Sequence, residues 1–221
     1  MRSVIFLCLL IYAIQPQLRP QQIPVNTFHP FSGAVVFSAE VGGTYPITDL
    51  SIPDLDIFGR GLIEYYFPSK FNHAIGIRVL GGGGYLSSEG EVNNREFNYR
   101  TGFFFIGGGL TFALKIGNGV PYISATMSYL LYDPRDSEGY LLPYNREKQF
   151  DQNALMQSVE LGMRFPFAEV LSLNVGLNMN FTYVDNLDGL EKGLDNDVFA
   201  SAFVGISLYV GAEKDSDGDG S

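Results

Sequence analysis

The sequence predicts an all-β protein, an eight-stranded antiparallel up-and-down barrel that crosses a membrane. Three observations predict it. The stretch from Leu171 to Tyr183, LSLNVGLNMNFTY, alternates large apolar residues with Ser, Asn, Gly and Thr, which is the period of a strand between two unlike surroundings. The polar face of that strand carries no charge and no long side chain, which suits a narrow polar interior better than bulk water. Short connections rich in Pro, Gly and Asn alternate with long ones, as in a barrel with turns on one side of a membrane and loops on the other.

The chain opens with MRSVIFLCLLIYAIQPQ. Arg2 is a short positive n-region and Val4 to Ile14 an apolar h-region. A membrane-spanning helix needs about 20 residues, so the run reads as a secretory signal peptide with cleavage after Ala13. Cys8 lies inside it, and processing leaves no cysteine, hence no disulfide framework. Residues 1–22 are assigned to the signal peptide and a short mature segment, 23–212 to the barrel and 213–221 to an acidic tail.

The expected strands are residues 33–43, 57–67, 73–84, 98–116, 122–132, 154–165, 171–183 and 198–210. Most approach the ~9–11 residues that cross an outer membrane when tilted. Residues 68–72, 117–121 and 166–170 are the expected tight turns. The longer connections are 44–56, 85–97, 133–153 and 184–197. Glycines 81–84 and 107–109 fall inside strands, where glycine marks a bend or a close approach of backbones.

Composition agrees. The chain has 26 Gly, 18 Phe and 13 Tyr among 221 residues, which favours strands and tight turns. Mean hydropathy is only +0.07, as expected when half of each strand is polar. A net charge of −10 disfavours nucleic acid, which needs a basic face. Of 14 Lys and Arg and 24 Asp and Glu, the expected strands carry only Glu40, Arg60, Glu64, Arg78, Arg100, Lys115, Glu160 and Arg164. A soluble barrel would show a charged outer face instead. Aromatics flank many strands: Phe31, Tyr45, Tyr65, Phe67, Tyr85, Tyr99, Tyr122, Tyr132, Phe165, Phe167 and Tyr183. They fit the aromatic girdles of membrane barrels.

A charge facing lipid at mid-bilayer costs about 2–4 kcal/mol, so Glu40, Arg60, Glu64, Arg78, Glu160 and Arg164 should point inward. Inside they need partners. Glu40, Arg60, Glu64, Arg78, Glu160 and Arg164 are therefore the candidate site, a lumenal salt-bridge network. It reads either as a plug across the barrel or as a selectivity ring for a small pore. The crowded interior of eight strands favours the plug.

Other groups carry less. Asp185, Asp188, Glu191, Asp195 and Asp197 could hold a divalent cation but match no calcium-loop spacing; a solvated acidic loop is the simpler reading. Tyr132, Tyr140, Tyr144 and Phe150 could form an adhesive patch. In the tail AEKDSDGDGS, Asp215, Asp217 and Asp219 alternate like the first ligands of a calcium loop, so Ca2+ is the one candidate cofactor. The alternative is a flexible acidic tail. His29 and His73 are the only histidines, and neither has a nucleophile and carboxylate evidently placed beside it, so no enzyme is expected.

With these residues placed, the chain resembles the OmpA-like outer-membrane β-barrel family. The carrying segments are VGGTYPITD at 41–49, IEYYFPSKFNHAIGIRVLGG at 63–82 and VGISLYVG at 204–211. The DSDGDG of the tail resembles the start of the thrombospondin type 3-like calcium linker that follows the barrel in many members. The resemblance implies a structural or anchoring protein of the bacterial cell outer membrane, with membrane lipid as partner. It also implies peptidoglycan as a partner through a following domain that this sequence does not contain. A small pore, or a surface adhesin acting through acidic loops, is the alternative.

Overall fold

The computed structural model describes residues 31–47, 52–92, 95–136, 138–142, 151–188 and 196–211, the side chains of 91–97 excepted. The expected signal segment, His29, Tyr144, Phe150, Glu191, Asp195 and the tail acids Asp215, Asp217 and Asp219 lie outside the described residues.

The strands are β1 (Val35–Ile47), β2 (Ile52–Pro53), β3 (Asp56–Tyr66), β4 (His73–Val92), β5 (Arg95–Leu114), β6 (Val120–Arg135), β7 (Asn153–Ala168), β8 (Leu171–Thr182) and β9 (Val198–Val210). Eight of them run β4-β3-β1-β9-β8-β7-β6-β5, and β5 pairs back onto β4. Every neighbouring pair is antiparallel, so the sheet closes as an up-and-down barrel. Closure gives each of the eight strands a neighbour on both sides. The two-residue β2 is an addition to β4, with Ile52 opposite Glu89.

Period-two alternation decides which side each residue takes. On β6 the burial alternates without a break from Tyr122 to Tyr132. On β8, Leu177 faces outward at 64% exposure, while Asn178 is buried. Val41 on β1 is 63% exposed and its neighbour Glu40 is buried. The outer surface is therefore apolar and the interior polar at mid-height, the reverse of a soluble barrel.

The short connections behave as local chemistry dictates. Between β5 and β6, Ile116 and Gly119 exchange backbone hydrogen bonds of 2.9 and 3.0 Å. Gly117 takes φ 58° there, a left-handed conformation that glycine adopts without cost.

Three expectations are corrected. Residues 85–97 do not form a loop: β4 and β5 continue as a ladder out to Val92 opposite Arg95. Polar residues hid this, but Leu86 and Tyr99 keep the inward parity and are buried. The interior is also less polar than expected, since Phe58, Phe103, Phe105, Phe199 and Phe203 point inward and cluster. Glycines make room for them: a Cβ on Gly176 would lie 2.5 Å from the Phe203 ring. Finally, Phe31, Tyr99, Tyr122 and Tyr132 are buried rather than part of an outer girdle.

Candidate functional site: a charged layer across the lumen

All six expected site residues project inward and are buried. β3 carries Arg60 and Glu64, and β7 carries Glu160 and Arg164. Residues four apart on a strand share a face, about 13 Å from one another. In the ring order β3 and β7 stand on opposite walls, four places apart. Successive antiparallel pairings make these two strands run the same way. The Arg-to-Glu order of β3 thus confronts the Glu-to-Arg order of β7, and opposite charges meet at both levels.

The contacts follow that arrangement. Arg60 Nη2 lies 2.7 Å from Glu160 Oε2, across the barrel. Arg164 Nη2 bonds Glu64 Oε2 at the lower level. Arg78, directly opposite Glu64 on the neighbouring strand β4, joins the two levels. Its guanidinium lies 3.1 Å from Glu64 Oε1 and 3.1 Å from Glu160 Oε1. Glu40, opposite Arg60 on β1, accepts from Arg60 Nε at 2.7 Å and lies 2.6 Å from Arg60 Nη2. The chain of contacts runs Glu40–Arg60–Glu160–Arg78–Glu64–Arg164. Three carboxylates balance three guanidiniums, so the layer is formally neutral.

Smaller groups complete it. Arg78 Nη1 donates to Ser124 Oγ. Arg164 Nη1 donates to Tyr66 Oη at 2.5 Å. Asn174 Nδ2 donates to Glu40 Oε1 at 3.2 Å and to Ser207 Oγ at 2.6 Å, and Ser207 shares a 2.5 Å hydrogen bond with Ser38. Aromatic faces cover the cations: Arg60 lies 4.3 Å from the Phe203 centroid and Arg164 4.6 Å from that of Tyr122. Glycines again admit the large groups. A Cβ on Gly205 would sit 2.4 Å from Glu40 Cγ, and one on Gly82 would sit 2.5 Å from Arg60 Cβ.

Apolar residues flank the layer. At the short-turn end Phe31 is fully buried, packed on Tyr66 and Tyr209 with centroids 5.6 and 5.1 Å away. The segment holding Phe31 is fixed by a hydrogen bond from Ser69 N to Ser32 Oγ, 2.8 Å. At the loop end Leu187 is buried among Leu86, Leu130 and Met156. Its backbone is held by Asp197 Oδ2, which accepts from Leu187 N at 2.7 Å, and by Thr101 Oγ1, which donates to Leu187 O at 2.5 Å.

Phe31, Ser124, Ser207, Tyr66 and Tyr122 were not expected in the site, whereas Asn174 is on the polar face of Leu171–Tyr183 expected to line the lumen. The inward parity of Tyr122 and Asn174 was available in the sequence; the tucked position of Phe31, which precedes the first strand, was not. Tyr132, expected in an exposed patch, instead donates inside the barrel mouth to Asn186 Oδ1 at 2.6 Å and to Asp151 O at 2.9 Å. Asp197, expected in an acidic loop, accepts a hydrogen bond from Leu187 N. Among the described residues no group of three or more His, Cys, Asp or Glu is placed to hold a metal ion. His73 stacks between Phe71 and Phe112 at the short-turn end, at centroid distances of 5.2 and 5.7 Å.

No protein-family model matches the sequence, and no curated protein matches it. Solved structures do match. The outer membrane protein OprG of Pseudomonas aeruginosa superposes with a TM-score of 0.53 at 11% identity, covering 85% of this chain and 100% of that one. Neisserial surface protein A gives 0.52 at 13% identity, covering 80% and 99%. Ail, the attachment invasion locus protein of Yersinia pestis, in complex with the heparin analogue sucrose octasulfate, gives 0.50 at 10% identity, covering 81% and 99%. At such identities the likeness shows the fold, a closed eight-stranded antiparallel barrel of the outer-membrane kind.

Proposed function

We propose that this chain is a bacterial outer-membrane β-barrel with a closed lumen, serving as a structural anchor in the cell envelope. The observation that carries the proposal is the six-residue charged chain that cross-links opposite barrel walls at two levels. A selectivity ring would line a passage and leave its centre open. Here guanidinium and carboxylate groups meet across the centre and neutralise one another. The apolar outer face supports the membrane half of the reading: Val41, Ile63, Leu110, Leu161, Leu177 and Ile206 are all more than half exposed. Stranded in water, such a surface would aggregate; in hydrocarbon it is solvated.

The short-turn end would then face the periplasm and the long loops the exterior. An OmpA-like anchor would join the barrel to peptidoglycan through a following domain, with the acidic tail as linker. Two measurements test this reading. The protein should fractionate with outer membranes and migrate faster on gels unheated than boiled. Reconstituted vesicles should retain small solutes. Recovery in the soluble fraction contradicts the membrane assignment, and rapid solute leakage contradicts the closed lumen.

A further inference from the structure

On the outward face of β4 to β7, near the long-loop end, the strand register sets residues in rows. The lowest row is Gly83, Phe104, Leu131 and Asn153. Above it come Tyr85, Gly102 and Asp133, then Ser87, Arg100 and Arg135. Because Gly102 has no side chain, a groove of about 950 Å3 opens among Tyr85, Phe104, Leu131 and Asp133. A Cβ on Gly102 would meet nothing nearer than the Tyr85 ring, at 3.6 Å. Packing within the barrel therefore does not require glycine there. Phe104 and Leu131 give the groove an apolar wall, and Arg100 and Arg135 stand in the row just beyond it, which is the profile of an acyl chain beneath a headgroup.

Charge says which headgroup. Among the described side chains, Arg60, Arg78, Arg135 and Arg164 each have a carboxylate within salt-bridge distance, and Arg100 has none. Arg100 is exposed, with its guanidinium 4.3 Å from the Tyr85 ring centroid. Two of the carboxylates nearby are engaged, and Glu89 lies exposed on β4 in the next row. Asp133 is held by Arg135 at 2.8 Å and by Gln152 at 3.2 Å, and Asp56 accepts from Ser87 Oγ. Arg100 also stands directly opposite Arg135 on the adjacent strand. Like charges so placed repel, and an anion between them relieves the repulsion.

We propose that this groove binds one anionic, phosphate-headed lipid, with an acyl chain against Phe104 and Leu131 and the phosphate on Arg100. The proposal rests on the membrane reading above, and the test separates the two. The chain has no Trp, so a single introduced Trp is an isolated reporter. Phe104→Trp places one on the groove wall; Val204→Trp places one on β9, across the barrel. Each protein is refolded into phosphatidylcholine vesicles containing a small fraction of brominated phosphatidylglycerol or, in parallel, brominated phosphatidylcholine.

The groove reporter should be quenched as though phosphatidylglycerol were enriched about fivefold around it, the preference expected of one added cation at a membrane surface. The reporter across the barrel should be quenched equally by both lipids. Adding Arg100→Gln to the groove reporter should abolish the preference, and so should adding Gly102→Leu, which fills the groove without changing charge. Equal quenching at the groove overturns the proposal, as does a preference that survives Arg100→Gln or Gly102→Leu. If neither lipid quenches the Val204→Trp reporter, the protein is not in the bilayer, and both the membrane reading and this inference fall.

Discussion

Glu160→Gln is the most informative single change. Glu160 joins Arg60 at 2.7 Å and Arg78 at 3.1 Å, so it is the link between opposite walls. Its side chain is 4% exposed and those of the two arginines 1% and 0%, so water does not screen the contacts. At an effective dielectric of about 20, the gross attractions are about 6 and about 5 kcal/mol. Most of that offsets the desolvation of three ions, and breaking such a buried set by removing one charge costs about 3–5 kcal/mol. Gln keeps the shape and leaves three guanidiniums, Arg60, Arg78 and Arg164, sharing Glu40 and Glu64. The assay is a urea titration of refolded protein in detergent micelles, read by the ratio of folded to unfolded bands on unheated gels. With a slope of about 2 kcal/mol per molar urea, the midpoint should fall by about 2 M. The double variant Arg60→Met with Glu160→Met should lose less than the two single variants added together, because it removes a charge and its partner at once. A midpoint unchanged by Glu160→Gln, or strict additivity in the double variant, would refute the network as a stabilising element.

Three further outcomes follow from the packing. Gly162→Val should lower the refolding yield, because a Cβ there would meet the Tyr122 ring at 2.4 Å and must displace it, whereas Gly61→Ala should refold normally, since its Cβ meets nothing nearer than 3.9 Å; refolding yield on gels distinguishes them. Leu177→Arg places a charge at an outward position that is 64% exposed, and it should destabilise the protein in lipid vesicles by about 2–4 kcal/mol, read from the urea midpoint. Phe31→Ala removes the ring packed against Tyr66 and Tyr209, and it should cost about 3–5 kcal/mol of stability by the same titration.

Much of this arrangement is legible in the sequence, for specific reasons. On β8 large apolar and small polar residues alternate without exception, so its two faces could be told apart by period alone. The six charges share inward parity because lipid rejects them, and that physics needs no register. Their partners did need it. Arg60 and Glu64 on β3 confront Glu160 and Arg164 on β7 only because the two strands run the same way on opposite walls, a property of ring order and closure. β5 was harder: in the run from Phe103 to Ile106 both faces are apolar, so the inward rings of Phe103 and Phe105 could not be separated from the outward Phe104 and Ile106. The ladder beyond Tyr85 is obscured in the sequence because Ser, Glu and Asn weaken the strand pattern there. Phe31 lies before the first strand, where no periodicity exists to assign it a side. The groove beside Gly102 is hidden for another reason: it is formed by residues on four strands and by the side chain that Gly102 lacks.

The claim at the centre of this account is that the charged layer closes the lumen. Single-channel recording of the purified protein in a planar bilayer tests it most directly. The account predicts no steady unitary current in the wild-type protein, because Arg60, Glu160, Arg78, Glu64 and Arg164 meet across the centre of the barrel. A large, steady, ion-selective conductance would contradict it and identify the same six residues as the lining of a pore.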